Sequence, residues 1–467
     1  MTTVAVDPQV TEITRTLTEY LVGITFDDIP KEVVESAKLY SLECIGHMLR
    51  AREQRVSQLV VEYLRATAAS PLAIVVGTGM RSSPSEAAYA NGTFAHADEL
   101  ESHGTIPGTG LVPAIAAGVT VADWVAGTSG QDYLAAVVAG VEMQGRLGSA
   151  AIGACDRGFM GISLVGTGGA AATAGRLMGL NVAQMQNCFG IALPLSNGSL
   201  RGCGYMTHVH EAGIPTRTGV FAAQMAAGGF TGCPDYLDGA YSWGEQFAGG
   251  AARKYDPGAL TAGLGQSLFL ERCDVAPKQY GSCGITHQAI EGTAALMLEH
   301  GLEPADIDRV ELLVPPFADR VAPFRAPENG EQAKFSIRQG VAAILADGIP
   351  QLPLIRPFSD ATFSDRRYVA ALQRVDLKVQ EGLPSQRGFT EQTVTLVLHD
   401  GRRLSKVVDS KRVHGHVSNP FTVAERVDMV RHTMEPVTGL ARAERLIEVV
   451  MDLEHREFAE VAALIAD

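Results

Sequence analysis

The stretch Ala276-Pro277-Lys278-Gln279-Tyr280-Gly281-Ser282-Cys283-Gly284-Ile285-Thr286-His287 lies close to the point where the character of the chain changes. Upstream, long segments carry apolar residues about every 3.6 positions, and downstream short β-branched runs follow. Within the stretch, Lys278 precedes a loop of small residues that leads into a predicted helix over Gln288–Leu298. A lysine at a helix entrance, beside free backbone N–H groups, suits an anionic ligand.

The part of the chain before Arg272 is predicted to be a tightly packed helical domain. Its segments are rich in alanine and glycine, and such small residues let helix backbones approach closely. The predicted helices are Val10–Val22, Lys31–Ala51, Ser85–Thr93, Val112–Val125, Gln131–Leu147, Leu164–Met178, Val182–Leu193 and Arg217–Ala227. The fold class is therefore mainly α, with a large helical domain over residues 1–272.

The part after Arg272 is predicted to be a smaller α+β domain over residues 273–412. Asp400-Gly401 is a strong hairpin signal between two β-branched runs. The predicted strands are Val310–Val314, Val375–Val379, Thr393–His399 and Arg402–Val408, and the predicted helices are Gly284–Glu299 and Ser336–Ala346. Residues 413–467 read as helices again, and we expect them to return to the first domain.

Composition excludes several classes of protein. The 467 residues are 46% hydrophobic, which is typical of a globular chain, and the formal net charge of −14 argues against nucleic-acid binding. The apolar run Leu111–Gly127 contains Asp123 and many small residues, so we expect a buried helix and no membrane association. The first residues, Met1–Asp7, lack the pattern of a signal peptide. The seven cysteines are scattered without a CxxC pair, which favours reduced thiols in the cytoplasm.

Four groups of residues together resemble the MmgE/PrpD family, which includes 2-methylcitrate dehydratase, cis-aconitate decarboxylase and iminodisuccinate epimerase. They are Asn91-Gly92 with His96-Ala97, Gly158-Phe159 with Ser163 and Gly166-Thr167, Lys278 with Tyr280, Ser282-Cys283 and His287, and Lys334-Phe335-Ser336 with the later Gly415-His416 and Asn419-Pro420. The resemblance covers nearly the whole chain. It implies a helical domain with an α+β lid, an active site between them, a homodimer, and catalysis without a metal or cofactor.

The resemblance also implies that the polar partners of Lys278 have changed. In decarboxylase-like members, an aspartate, a threonine and a histidine precede the conserved proline, and the matching positions here are Glu99, His103 and Ile106. A second family histidine corresponds to Met160, a lysine to His208, and a lid tyrosine to Gln339. These changes make the pocket more apolar and less basic. We therefore expect a substrate with fewer carboxylates, or a larger apolar part, than cis-aconitate or methylcitrate.

The candidate catalytic residues are His103, His208, Lys278 and Glu99. Histidine is the usual general acid or base near neutral pH, and Lys278 could bind a carboxylate or stabilise an enolate. Glu99 lies in a loop with Asp98 and Glu101, where three carboxylates could surround the imidazole of His103. Each candidate also has a purely structural interpretation: the two histidines could lie in the core, the acidic loop could be solvated, and Lys278 could have a structural role. The candidate substrate-binding residues are Ile106, Met160, His210, Tyr280, Ser282 and Gln339.

The sequence gives weaker support for a metal site and for a nucleophilic cysteine. Alternating histidines in His208-Val209-His210-Glu211 could share a metal on a strand, but no second ligand cluster with a known spacing accompanies them. Cys283 lies near His287, but the family cysteine at this position is not a nucleophile, and free cysteines are commonly buried.

The sequence predicts a lyase that removes an α-proton from a small or medium carboxylic acid and then expels water or carbon dioxide. An isomerase or epimerase using His103 and His208 on two faces of the substrate is the main alternative. A non-catalytic relative that binds a ligand is the third possibility, since many of the family's polar groups are replaced.

Overall fold

Alanine- and glycine-rich helices build the larger of two hydrophobic cores in the computed structural model of the chain. The structure describes residues 12–67, 69–104, 106, 109–248, 255–272, 275–349, 351–386 and 389–467. The helices of the first part are α1 (Ile13–Gly23), α2 (Lys31–Ala51), α3 (Arg55–Thr67), α4 (Pro84–His96), α5 (Val112–Trp124), α6 (Gly130–Ala150), α7 (Gly161–Leu177), α8 (Val182–Ala192), α9 (Met206–Ala227), α10 (Trp243–Ala248) and α11 (Phe269–Arg272).

The predicted helices of this part are confirmed, most with ends shifted by a few residues. Val10 of the first predicted helix lies outside the described residues, as does the segment Met1–Asp7. Helix α9 was predicted to start at Arg217, but it starts at Met206. The first part also contains α3 and a small antiparallel hairpin of β1 (Ala73–Val75) and β2 (Met80–Ser82), which the sequence did not predict.

Glycines allow α4 and α9 to pack in direct backbone contact. A Cβ atom at Gly213 on α9 would lie 2.1 Å from Thr93 Oγ1, and one at Gly92 on α4 would lie 2.5 Å from Thr216 Oγ1. Because these distances are below any real Cβ contact, a larger residue at either position requires the helices to move apart. The packing brings the end of α4 close to the beginning of α9.

The second part of the chain forms the smaller core around one sheet. Its elements are α12 (His287–His300), β3 (Ile307–Val314), α13 (Pro316–Val321), α14 (Gly330–Ala333), α15 (Ile337–Asp347), α16 (Arg366–Gln373), β4 (Val375–Val379), β5 (Ser385–Gln386), β6 (Phe389–Leu398) and β7 (Arg403–Asp409). Strand β3 pairs in parallel with β4 and antiparallel with β6, and β6 pairs with both β7 and β5. The mainly α fold with a smaller α+β part is confirmed.

Local signals located the elements of this second part well. The hairpin predicted at Asp400-Gly401 joins β6 to β7, and Gly401 has a φ of 89°, which glycine adopts without strain. Helices α12 and α15 match their predicted segments closely. One face of α12 packs on the sheet, where a Cβ at Gly292 would lie 2.7 Å from Val394.

Residues 276–279 cross from one core to the other. Val275 packs in the first core, and Tyr280 packs in the second. Lys278 therefore lies at the junction of the two parts.

The last helices are α17 (Val423–Thr438), α18 (Leu440–Met451) and α19 (Phe458–Ile465). Helices α17 and α18 pack against α2. Arg426 forms an ion pair of 2.7 Å with Glu43, and Lys38 forms one of 2.8 Å with Glu454. The domain limits at residues 272 and 412 stay a prediction. Among the helices that the structure describes, none has both the length and the apolar character to cross a lipid bilayer.

Candidate active site

The loop after α4 places acidic side chains at the junction of the two cores. Glu99 has a φ of 55°, a left-handed conformation that is uncommon for residues other than glycine. Such a conformation costs about 1–3 kcal/mol and occurs often at functional sites. The loop is attached to the crossing segment because His103 and Ala276 exchange two backbone hydrogen bonds of 2.8 Å.

Six buried titratable side chains meet at this junction, and we call them the ion-pair cluster. Lys278 Nζ donates to Glu99 Oε1 at 2.9 Å and to Glu101 Oε1 at 2.6 Å. His208 Nε2 lies 3.0 Å from Glu99 Oε2, and His96 Nδ1 lies 2.9 Å from Glu101 Oε2. On the other side of His208, Nδ1 lies 3.7 Å from Glu211 Oε2. The ion-pair cluster consists of His96, Glu99, Glu101, His208, Glu211 and Lys278, all buried.

Opposite charges in the cluster override the cost of burial. Burial alone would raise the pKa of Glu99, but Lys278 and His208 hold that pKa well below its usual value. Burial would lower the pKa of Lys278, yet Glu101 and Glu99 raise it. Burial would likewise lower the pKa of His208, but Glu99, Cys203 and Glu211 raise it well above its ordinary value. Lys278 is therefore a permanent ammonium group, which is unsuited to a Schiff base, and His208 is an imidazolium.

His103 lies beside the cluster in a different environment. Its ring packs against His287, with ring centroids 5.8 Å apart, and a Cβ at Gly284 would touch it. Burial, assisted by the charge of Lys278, lowers the pKa of His103 to about 4, so its imidazole is neutral at pH 7. Its Nδ1 has no hydrogen-bond partner within the described part of the chain.

Both halves of this architecture match models of one protein family. The MmgE/PrpD N-terminal domain matches residues 15–256, and the MmgE/PrpD C-terminal domain matches residues 280–455. The chain belongs to the MmgE/PrpD family. It is 25% identical to the cis-aconitate decarboxylase of Homo sapiens over 461 residues, which cover 96% of this chain and 93% of that protein.

Further decarboxylases show the same similarity within the MmgE/PrpD family. The cis-aconitate decarboxylase of Mus musculus is 24% identical, with 96% of this chain and 92% of the mouse protein covered. That of Aspergillus terreus is 27% identical, with 64% of this chain and 62% of the fungal protein covered.

The acidic loop contacts different partners from those that the sequence suggested. Three carboxylates were expected around His103. Instead, Asp98 accepts a hydrogen bond of 2.7 Å from Gln54, while Glu99 and Glu101 bind Lys278. That hypothesis was wrong because Glu99 and Glu101 pair with Lys278, which the tertiary fold brings to the loop.

Tyr280 and Ser282 support the entrance of α12. The Tyr280 ring packs edge-on against His287 at 4.9 Å, and the Ser282 hydroxyl lies 2.8 Å from that of Thr286. Burial raises the pKa of the neighbouring Cys283 thiol to about 12, so this group is protonated at neutral pH. A substrate-binding role for Tyr280 and Ser282 stays a prediction.

The other predicted binding residues make their described contacts outside the cluster. Gln339 donates a hydrogen bond of 3.0 Å to the Pro357 carbonyl within the second part of the chain. Met160 and Ile106 pack on the first core. His210 Nδ1 lies 3.5 Å from the Tyr89 hydroxyl. Their substrate-binding roles also stay predictions.

The suggestion that His208 and His210 alternate on a strand was wrong. Both residues lie on α9, where positions two apart point in different directions. His208 therefore faces the cluster, whereas His210 faces Tyr89.

A different trio comes close enough to surround a cation. Ligand atoms of His96, Glu99 and His208 lie within 4.8 Å of one another. However, the Glu99 carboxylate already binds the ammonium of Lys278 at 2.9 Å, and that charge would repel a metal ion. We therefore interpret the trio as part of an ion-pair network.

Sequence reasoning missed His96, Glu101 and Glu211 as site residues. His96, Glu99 and Glu101 follow one another closely at the end of a predicted helix, which was an available signal. Glu211 follows His208 by three positions and shares its helix face, but α9 was not predicted to extend over these residues.

Proposed function

We propose that this MmgE/PrpD protein is a lyase that acts on a small or medium carboxylic acid, by dehydration or decarboxylation. The observation that carries the proposal is a pair of histidines, His103 and the buried His208, whose environments shift their pKa values in opposite directions. The pKa of His103 is lowered to about 4, while that of His208 is raised well above its ordinary value. Two titratable groups separated in this way are suited to the roles of base and acid.

The proposed dehydration begins with removal of the α-proton by the neutral imidazole of His103. The electron pair of the broken C–H bond moves into an enolate, which the ammonium of Lys278 stabilises. The electrons then form a carbon–carbon double bond as the β C–O bond breaks. The departing oxygen takes a proton from His208 and leaves as water.

The proposed decarboxylation uses the same groups. The bond between the carboxylate and its carbon breaks, carbon dioxide leaves, and the electron pair stays on the substrate. Lys278 stabilises the resulting anion, and His208 supplies the proton that completes the product.

The charge of the cluster supports a substrate with fewer carboxylates than cis-aconitate. Lys278 already binds two carboxylates, and Glu211 adds a third to the cluster. An incoming carboxylate must compete with these groups for the ammonium, and a tricarboxylate would face the strongest repulsion.

The two histidines also support an isomerase or epimerase as a second candidate. In that reaction the proton returns to the same carbon or its neighbour, and neither water nor carbon dioxide leaves. A third possibility, a non-catalytic ligand-binding relative, predicts no turnover of any acid.

One experiment separates these functions. The protein is incubated in deuterated water with a panel of hydroxy acids, unsaturated diacids and tricarboxylates, and products are followed by NMR. An unsaturated product or released carbon dioxide supports the lyase. Deuterium exchange without loss of a group favours the isomerase and contradicts the lyase, and an inert panel contradicts both.

We further propose a homodimer that works in the cytoplasm without a metal or organic cofactor. Several large apolar side chains between residues 195 and 241 are exposed, among them Tyr241 at 86% and Phe230 at 56%, which is typical of a contact surface. The six described cysteines are free thiols, which fits a reducing compartment.

A further inference from the structure

Glu211 is a buried carboxylate, and a hydrogen bond holds one of its two oxygens in place. It lies on α9 one turn after His208, and its Oε1 accepts a hydrogen bond of 2.7 Å from the backbone N–H of Ser199. Its Oε2 accepts no hydrogen bond within the described part of the chain and lies 3.7 Å from His208 Nδ1. A buried carboxylate oxygen without a hydrogen bond is costly, and the facing His208 imidazolium compensates its charge.

The ring of His208 lies between two carboxylates. Nε2 lies 3.0 Å from Glu99 Oε2, and Nδ1 faces Glu211 Oε2. A neutral imidazole has one N–H, whereas the imidazolium has two and can donate on both sides. A ring held between two acceptors is therefore held in its doubly protonated form.

The other groups around the His208 ring do not place a second carboxylate at Nδ1. The Cys203 sulfur lies 3.8 Å from Nδ1, the His96 ring centroid lies 4.7 Å from that of His208, and the Phe335 ring packs edge-on at 5.0 Å. Lys278 reaches His208 through the carboxylate that they share, Glu99. Glu211 is thus the carboxylate that faces Nδ1.

We propose that Glu211 is a positioning residue that keeps the Nδ1–H of His208 in place and so makes this histidine the proton donor of the reaction. The inference rests on the proposed function, in which His208 protonates the leaving group or the product. When Nε2 gives up its proton, Nδ1–H stays directed at Glu211, so the neutral ring keeps its lone pair on Nε2. Glu211 would thus orient the ring as an aspartate orients the catalytic histidine in serine proteases.

The test is Glu211→Gln in the full-length protein, with His208 followed by nitrogen-15 NMR of its ring. His208→Asn assigns the signals. In the unchanged protein we expect both ring nitrogens to keep imidazolium shifts well above pH 6.5, the ordinary histidine pKa. In Glu211→Gln we expect the titration midpoint to fall by about one pH unit or more, because one of two facing carboxylates is lost. Glu211→Asp keeps the charge on a shorter side chain, so its midpoint should lie between those of Glu211→Gln and the unchanged protein. If the glutamine variant does not fold, an aspartate variant that titrates like the unchanged protein contradicts the proposal.

The matched control is Glu86→Gln. Glu86 pairs with Arg217 and so also links α4 to α9, but it lies outside the cluster. We expect this control to leave the His208 titration unchanged. If Glu211→Gln and the unchanged protein titrate alike, the proposal is wrong.

The NMR result does not depend on turnover, so it separates this inference from the proposed function. If an active acid is found, Glu211→Gln should lower kcat about 10- to 100-fold and change KM less than threefold, as expected for a misplaced proton donor. Loss of binding with an unchanged kcat would contradict the positioning role. If no acid is turned over while the titration still shifts, the proposed function fails and the control of His208 by Glu211 stands.

Discussion

At the scale of single residues, the site is defined by how buried charges are matched. Lys278 donates to one carboxylate oxygen of Glu99 and to one of Glu101, and His208 lies against the other oxygen of Glu99. Charges buried in this way are stable together, but removing one partner leaves an uncompensated charge in the interior. The family resemblance identified Lys278. Its partners Glu101 and Glu99 lie 177 and 179 positions away in the sequence, so these contacts depend on the tertiary fold.

Replacing Lys278 by alanine should affect both activity and stability. We expect turnover to fall by a factor of about 10²–10³, as for the loss of a donor worth about 2.7–4 kcal/mol in the transition state. We also expect the free energy of unfolding to fall by about 3–5 kcal/mol, since two carboxylates stay buried without their cation. Steady-state kinetics and urea unfolding measure the two effects.

Lys38→Ala is the control for that substitution. Lys38 is a buried lysine that pairs with Glu35 and Glu454, outside the ion-pair cluster. We expect the control to lose stability while its folded fraction keeps the kcat of the unchanged protein. A Lys278→Ala variant with unchanged kinetics would exclude Lys278 from the reaction.

At the scale of helices and strands, the contact between α4 and α9 sets the geometry of the cluster. Helix α4 ends at His96, α9 carries His208 and Glu211, and glycines remove the bulk between them. The sequence placed the start of α9 too late because Pro215 lies inside the helix, where proline normally ends helical structure. Packing against α4 and α7 stabilises the helix despite that proline. Segments with strong local signals, such as α12 and the β6–β7 hairpin, were predicted correctly.

Gly213→Ala should push α4 and α9 apart. The added methyl group would lie 2.1 Å from Thr93 Oγ1 and 2.5 Å from the Tyr89 carbonyl oxygen. We expect a loss of about 1–3 kcal/mol in the free energy of unfolding, as for other overpacked sites, measured by chemical denaturation. Gly228→Ala, just after the same helix, is the control, because the added methyl group would lie 3.5 Å from the Met225 carbonyl oxygen, an ordinary contact distance. Equal stabilities of the two variants would contradict the close contact.

The junction around α12 predicts a dependence of stability on pH. Glu291 on α12 accepts hydrogen bonds from the backbone N–H of His414 and from Gln279, next to Lys278. Burial raises its pKa from 4.5 to about 7, although these hydrogen bonds lower it in part. The folded state therefore binds this proton more tightly than the unfolded state, so the contribution is largest below pH 4.5 and is lost as pH rises through about 7.

Glu291→Gln should remove that dependence. Comparing the unfolding free energies of the two proteins between pH 5 and 8 isolates Glu291 from the buried histidines, because their contributions are common to both proteins. We expect the variant to gain about 2–3 kcal/mol relative to the unchanged protein over this range. Parallel curves for the two proteins would show that Glu291 titrates normally.

At the scale of the whole molecule, exposed apolar side chains predict self-association. Tyr241, Phe230 and Tyr205 are more than half exposed. We expect a particle of twice 49.4 kDa by light scattering, and we expect Phe230→Glu combined with Tyr241→Glu to shift it toward the monomer.

Leu298→Glu is the control for surface charge. Leu298 lies on α12 and is 67% exposed, outside the predicted contact segment. We expect this variant to keep the mass of the unchanged protein. A single 49.4 kDa species in the unchanged protein at micromolar concentration would exclude the dimer.

The crossing of the chain at residues 276–279 also bears on apparent affinity. Lys278 lies between the two cores, whereas Glu99 and Glu101 belong to the helical part. Any opening that moves Lys278 away from them separates buried charges, at a cost of about 3–5 kcal/mol. The open population is then about one molecule in 150 to 5,000, and substrate binds weakly overall even if its contacts in the open form are strong. A substrate whose carboxylate binds Lys278 in the open form offsets part of that cost, so the site favours substrates that carry such a group.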